Sequence, residues 1–403
     1  MYIGIDWSEQ NHHVVFLNDA AAVVASQLIP HSLEGFWTLD RIRQRLGVSP
    51  AECFVALETA HNLLVDFLWE RGYTQVYVIP PHVTHSCRGR YRQSGAHTDQ
   101  SDALLLANLL RTDRHRFAPW RPDSPLTRQM RALVSRYLFL TRSNVRLVNR
   151  LRAILMRYYP AAVDLFSSLD GVVTLEFLRA FPTPEAATGL KWEEFLAFAC
   201  QHHYTRPRDL RKAFARLQEP RPQAAPEVVA AYQEETSLLA TLLLEGVRAR
   251  QETLKQLRSL FVEHPDRDIF ASLPGTGEFL APALLVKFGD DRERFPTPAS
   301  VQALAGSCPV TEASGKGRRI RFRRGCDREF RYISQQWAWH SLRESVWAST
   351  YYEQALERGL SESHALRCLV NRWLVVTWRL WQDRVPYDEA YHLRQVVERR
   401  KPR

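Results

Sequence analysis

Asp6, Glu58, Asp99 and Asp102 are the residues of this 403-residue chain whose types and spacing could do chemistry. Asp6 closes the apolar run Tyr2-Ile3-Gly4-Ile5, and Glu58 closes Phe54-Val55-Ala56-Leu57. Each run reads as a short strand. Asp99 and Asp102 stand three apart at the start of an apolar helical pattern, so both leave one face of a helix. Carboxylates at the ends of two neighbouring strands, closed by a pair on a helix, would converge on one point. Like charges a few ångströms apart repel strongly, so such a set calls for cations. Hard divalent ions, Mg²⁺ or Mn²⁺ and two of them, suit phosphodiester chemistry by clamping the attacking and leaving oxygens. Taken singly, each acid reads as an ordinary strand-end or helix-cap carboxylate. Only the set points to a site.

Those acids need a scaffold. Strands are expected near 2–6, 12–18, 22–29, 53–58 and 75–79, with helices near 33–46, 61–71 and 100–111. A three-strand meander followed by strand–helix–strand–helix is the order of an RNase H-like α/β domain, placed here over 1–120. From Leu126 to Tyr159, and again over 227–262, apolar residues recur at three- and four-residue steps. Two long amphipathic helices of this kind predict an antiparallel coiled-coil arm over 121–265, with a small helical insert at 165–215. Residues 266–403 read as a third, mostly helical domain whose tryptophans suit core packing. The fold class expected is therefore α/β plus α.

The charge balance is basic, +10, and only six of the 54 Lys and Arg residues are lysine. Arginine binds phosphate bidentately and stacks on bases, which suits nucleic acid. One cluster, Arg88, Arg90 and Arg92, lies beside the Asp99 helix; the densest is Lys316, Arg318, Arg319, Arg321, Arg323 and Arg324. Alternation of these arginines with Ile320 and Phe322 predicts a short strand with one charged face. Leu273-Pro274-Gly275-Thr276-Gly277 fits a helix-hairpin-helix turn, with Gly275 and Gly277 freeing backbone amides for a phosphate. A simple glycine turn between core helices is the competing reading. Ser314 precedes Gly315 and the arginines; a serine in that setting is most often a turn residue, and a nucleophile only when activated. The six cysteines are scattered without a C-x-x-C pair, so neither a zinc site nor a disulfide framework is expected. No apolar stretch reaches membrane-spanning length. A cytoplasmic protein without a membrane partner is the expectation.

Tyr2-Ile3-Gly4-Ile5-Asp6-Trp7-Ser8, Ala56-Leu57-Glu58-Thr59-Ala60 and Thr98-Asp99-Gln100-Ser101-Asp102-Ala103 together resemble the DEDD motifs of the insertion-sequence 110 transposases. Leu273 to Gly277, Leu304-Ala305-Gly306, Ala313-Ser314-Gly315 and Gly325 followed by Arg331 resemble the C-terminal transposase domain of that family. The resemblance spans nearly the whole chain, in the family's order. It implies a RuvC-like domain whose Asp6, Glu58, Asp99 and Asp102 hold Mg²⁺, and a serine nucleophile at Ser314. It further implies site-specific recombination through covalent serine–DNA intermediates, guidance by a structured noncoding RNA, and assembly as a tetramer, a dimer of dimers. The sequence departs from the family at Ser307-Cys308, which makes Ser307 a rival nucleophile.

Two other functions compete. A metal-dependent, junction resolvase-like nuclease would use the carboxylates and water, with no need of Ser314. A non-enzymatic nucleic-acid scaffold would leave the acidic set without a purpose. No Arg–His–Arg–Tyr constellation supports a tyrosine recombinase.

Overall fold

The computed structural model describes residues 1–59, 63–90, 98–204, 206–315 and 317–400. They form two compact units, Met1–Asp123 and Ser124–Arg403.

The first unit is built on a five-stranded mixed sheet, ordered β3-β2-β1-β4-β5. Strands β1 (Tyr2–Trp7), β2 (Asn11–Leu17) and β3 (Val23–Pro30) form an antiparallel meander, and β4 (Phe54–Leu57) runs parallel to β1. Strand β5 (Gln75–Val78) runs parallel to β4. The helices are α1 (Leu33–Arg45), α2 (Leu63–Glu70), α3 (Pro81–Cys87) and α4 (Asp99–Asp113).

Side chains alternate between the sheet's faces. Ile3, Ile5, Val55, Leu57 and Val76 pack with Phe36 and Leu39 of α1 and with Leu64 and Leu68 of α2. On the other face Tyr2, Phe54, Ala56 and Tyr77 meet Leu105, Leu106, Leu109 and Leu110 of α4. Asp6 and Glu58 have the parity of Tyr2 and Phe54, so each strand delivers its acid to the α4 side.

The second unit is helical apart from one hairpin. Helices α5 (Pro125–Tyr158) and α10 (Pro226–Glu263) run antiparallel, since Thr127 meets His264 at one end while Arg150 meets Glu235 toward the other. Midway, Gly246 packs on the Asn144 side chain, where a β-carbon would lie 2.2 Å from Oδ1. Between them, α6 (Val172–Ala180), α7 (Pro184–Thr188), α8 (Trp192–Gln201) and α9 (Pro207–Gln218) close a core around Leu155, Phe177, Phe195 and Leu243. The remaining helices are α11 (Arg267–Ala271), α12 (Gly277–Phe288), α13 (Pro298–Leu304), α14 (Arg328–Ser341), α15 (Val346–Glu357), α16 (Glu362–Asp383) and α17 (Glu389–Arg400). Helices α11 to α16 share a second core with Met130, Val134 and Leu257 of the long pair, so α5 and α10 contribute to both cores. Trp337, Trp373 and Trp381 are fully buried in it, with Trp337 donating to Pro274 O and Trp373 to Ser341 Oγ. No described helix is long and apolar enough to cross a membrane.

Candidate catalytic and nucleic-acid site

Helix α4 begins with a reciprocal cap: Thr98 Oγ1 accepts from the Ser101 amide, and the Thr98 amide donates to Ser101 Oγ. This fixes Asp99 and Asp102 in the first turn, where the helix dipole favours negative charge. The same helix lies directly on β1. At Gly4 a β-carbon would fall 1.8 Å from the carbonyl oxygen of Ala103, so only glycine permits that approach. Gly4 is two residues from Asp6, and Ala103 is next to Asp102. The contact therefore sets the spacing of the acids.

The other three acids lie near enough for their charges to act on Asp6. The Asp6 carboxyl is pushed up to about 6, first by burial and then by Asp102, Asp99 and Glu58, with Arg88 alone opposing. Glu58 accepts a hydrogen bond from Thr84 Oγ1 at 2.5 Å, and Arg88 Nη2 donates to Asp102 Oδ2 at 2.8 Å. Arg88, expected to face nucleic acid, is thus turned onto a site carboxylate. Among the described residues no three His, Cys, Asp or Glu side chains close round one point as a ligand shell. The donor chemistry nevertheless fits Mg²⁺ or Mn²⁺: four hard-oxygen carboxylates, whose mutual repulsion is felt at Asp6, and a guanidinium drawn onto Asp102. The Arg90 side chain, Arg92 and Lys316 lie outside the described residues.

Ser314 ends β6 (Val310–Ser314), which pairs antiparallel with β7 (Gly317–Arg321). Gly315 follows it with φ +55°, the left-handed conformation a tight turn needs. Both strands are solvent-exposed over Thr311–Ser314 and Gly317–Arg321, with Arg318 and Arg319 open and Arg321 paired to Glu312 at 3.1 Å. Arg318, Arg319 and Arg321 thus lie on one strand, as expected, and that strand is half of a two-stranded ribbon. Arg323 reaches the Cys308 carbonyl and Arg324 is exposed. The rival Ser307 is buried and donates to Asn371 Oδ1 at 2.8 Å, so its hydroxyl is engaged inside the protein.

A family model of IS110 DEDD transposases matches residues 3–160, and a second, for the transposase IS116/IS110/IS902 family, matches residues 267–353. A Streptomyces coelicolor protein named as a mini-circle transposase for IS117 is 30% identical over 396 residues, covering 96% of this chain and 95% of its own. The 44.8 kDa protein of insertion element IS116 from Streptomyces clavuligerus is 27% identical over 98% of both chains. The 43.6 kDa protein of IS110 from S. coelicolor is 25% identical over 96% of this chain and 95% of its own.

The chain belongs to the IS110 family of transposases. It is a DNA-cleaving, recombining enzyme. The first matched segment of this IS110 transposase contains Asp6, Glu58, Asp99 and Asp102; the second contains Gly275, Gly277 and Ser314. At the glycine turn the two residues part company. Gly275 is buried, its amide donates to Glu344 Oε2 at 2.6 Å, and a β-carbon there would lie 2.5 Å from the Ser341 nitrogen. That amide serves the packing of the turn on the end of α14 and is not open to a phosphate. Gly277 is exposed at the start of α12. Sequence reasoning missed the positioning roles of Gly4 and Thr84. A glycine inside a strand was the only available signal for the first, and a lone threonine carries none.

Proposed function

We propose that this IS110 transposase cleaves and exchanges DNA strands with Ser314 as the nucleophile, while Asp6, Glu58, Asp99 and Asp102 hold two Mg²⁺ or Mn²⁺ ions. The observation that carries the reading is the crowding of negative charge around Asp6, whose carboxyl is raised to about 6 by burial and by the three other acids. Such a concentration of negative charge gains from cations. Bound there, the ions would stabilise charge on the attacking and leaving oxygens. The strand order β3-β2-β1-β4-β5, with Asp6 and Glu58 leaving adjacent parallel strands, supports an RNase H-like, RuvC-like reading of the N-terminal domain. A helical arm over 121–265 and a serine-bearing domain over 266–403 complete that reading.

The side chains then divide the work. Ser314 Oγ attacks a DNA phosphorus; an Oγ–P bond forms as the P–O bond to the leaving deoxyribose oxygen breaks. The serine proton passes to solvent and the leaving oxygen takes one up. Rejoining reverses the step, with a deoxyribose hydroxyl of the incoming strand displacing Ser314. The exposed position of Ser314 at a glycine turn suits attack on a large substrate. Arg318, Arg319 and Arg324 would neutralise flanking phosphates.

The partners in this reading are element-end and target DNA, a structured noncoding guide RNA, and further copies of the chain in a tetramer within the cytoplasm. Support for self-association comes from apolar side chains left open on the long helices: Phe139 on α5, and Leu238 and Leu242 one turn apart on α10. The test of the metal half is strand cleavage of DNA carrying element ends, in Mg²⁺ and in EDTA, by wild type, Asp6→Asn and Asp102→Asn. Activity should require the metal and vanish in both variants. Undiminished cleavage in EDTA or in either variant overturns it.

A further inference from the structure

At the base of the β6–β7 hairpin lies a cavity of about 550 Å³, within the range of small-ligand pockets (roughly 300–1,000 Å³). Among the described residues four arginines line it, Arg321, Arg323, Arg367 and Arg372, and no aspartate or glutamate does. Arg321 is engaged by Glu312 from outside the lining, whereas Arg367 and Arg372 make no ion pair among the described residues. Helix α16 lines it along a broad stripe through His364, Arg367, Cys368, Asn371 and Arg372, in which successive turns are linked by three- and four-residue steps. Phe322 and Tyr351 add aromatic surface. Phe322 is 46% exposed, with the Arg367 guanidinium 5.0 Å and the Arg331 guanidinium 4.4 Å from its ring centre. Flat aromatic and guanidinium surfaces stack on nucleobases, and free arginines hold phosphates.

We propose that this cavity binds one unpaired nucleotide, its base against Phe322, Tyr351 and the Arg367 guanidinium plane and its phosphate on Arg367 and Arg372. A duplex is too wide for such a concavity, so the base must leave its stack to enter. The choice of DNA as the source rests on the reading of Ser314 as nucleophile. Val310 and Arg321 pair at the hairpin's base and Ser314 lies four residues further along β6, about 13 Å at strand rise. A strand attacked at Ser314 would therefore have a neighbouring nucleotide within reach of the pocket. There the transposase would hold the strand by an extruded base and keep it from slipping during exchange.

The test uses the full-length protein and a fluorescein-labelled single-stranded oligodeoxynucleotide, the duplex of the same sequence, and the matching oligoribonucleotide, all read by anisotropy. Phe322→Ala and Arg367→Gln should each weaken single-strand binding about tenfold, within the range base–aromatic stacking supports, and change duplex binding little. Arg372→Gln should also flatten the salt dependence by about 0.7 in the log–log slope, the loss of one phosphate contact. Circular dichroism checks that each variant is folded; Phe322 lies on an exposed ribbon, so its removal leaves the cores untouched. Wild-type single-strand affinity in both Phe322→Ala and Arg367→Gln overturns the pocket. Equal losses on duplex overturn it too, since they report general backbone contact. Tighter binding of the ribonucleotide, lost in the same variants, overturns the assignment to DNA. Ser314→Ala separates this proposal from the reading beneath it: a Ser314→Ala protein that still cleaves removes the nucleophile, while the binding results judge the pocket.

Discussion

Gly4 and Ala103 approach so closely that a β-carbon on Gly4 would lie 1.8 Å from the Ala103 carbonyl oxygen. A strand that carries one acid at its end is thereby seated against the helix turn that carries two more. The neighbouring Ala107 nitrogen, 2.6 Å from the same point, leaves no direction for relief. The acid set is thus spaced by backbone contact between strand and helix, with no reliance on the reach of long side chains.

Gly4→Ala should force α4 off the sheet. The cost expected is about 2–3 kcal/mol of stability in the N-terminal unit, the upper part of the range for overpacking, read by urea unfolding. Metal-dependent cleavage should fall at least a hundredfold, because Asp99 and Asp102 move with the helix. A Gly4→Ala protein as stable and as active as wild type would show that the contact is not a constraint.

Arg88 sits on Asp102 at 2.8 Å and, among the described residues, is the group that opposes the rise at Asp6. Its positive charge competes with any cation for the same carboxylates. Arg88→Gln should therefore bind Mn²⁺ several-fold more tightly than wild type in calorimetric titrations of the protein without DNA. Weaker binding in Arg88→Gln would mean that the guanidinium organises the site for the ion.

His12 is buried beside the site strand and its proton affinity is lowered to about 4, by burial first and by His31 second. Its Nδ1 accepts from the Ser8 amide, so Nε2 carries the hydrogen shared with His31 Nδ1 at 2.8 Å. In the unfolded chain the same imidazole takes its proton near pH 6.5. Between pH 6.5 and 4 the unfolded state thus binds a proton that the folded state refuses, so the contribution of this imidazole to stability is lost as the pH falls through that window. His12→Gln should be less stable at pH 7.5 yet lose less on acidification to pH 5, measured as thermal midpoints. Identical pH slopes for the two proteins would contradict this.

Much of the first unit was legible in the sequence because its signals are periodic. Tyr2–Trp7 and Phe54–Leu57 alternate faces, so strand parity alone sends Asp6 and Glu58 to one side. The long helices α5 and α10 follow from apolar residues repeated over many turns. What stayed hidden has no period. Helix α3, Pro81–Cys87, is short and polar, yet it brings Thr84 to Glu58. Gly275 reads as a phosphate-facing turn until Glu344, 69 residues away, occupies its amide. The strand at Gly317–Arg321 is legible in its alternation, whereas its antiparallel partner Val310–Ser314 carries no such signal. The two serines at 307 and 314 differ in burial, a property of their surroundings that local sequence does not encode.

The proposed attack of Ser314 on DNA can be tested on a gel. The most direct measurement incubates the transposase with Mg²⁺ and end-labelled DNA carrying the element ends, then separates the products on a denaturing gel. Wild type should yield a labelled protein–DNA adduct that maps by mass spectrometry to the peptide containing Ser314, and Ser314→Ala should give neither adduct nor cleavage while still binding DNA. An adduct that persists in Ser314→Ala, or cleavage by wild type with no adduct at all, would contradict the account.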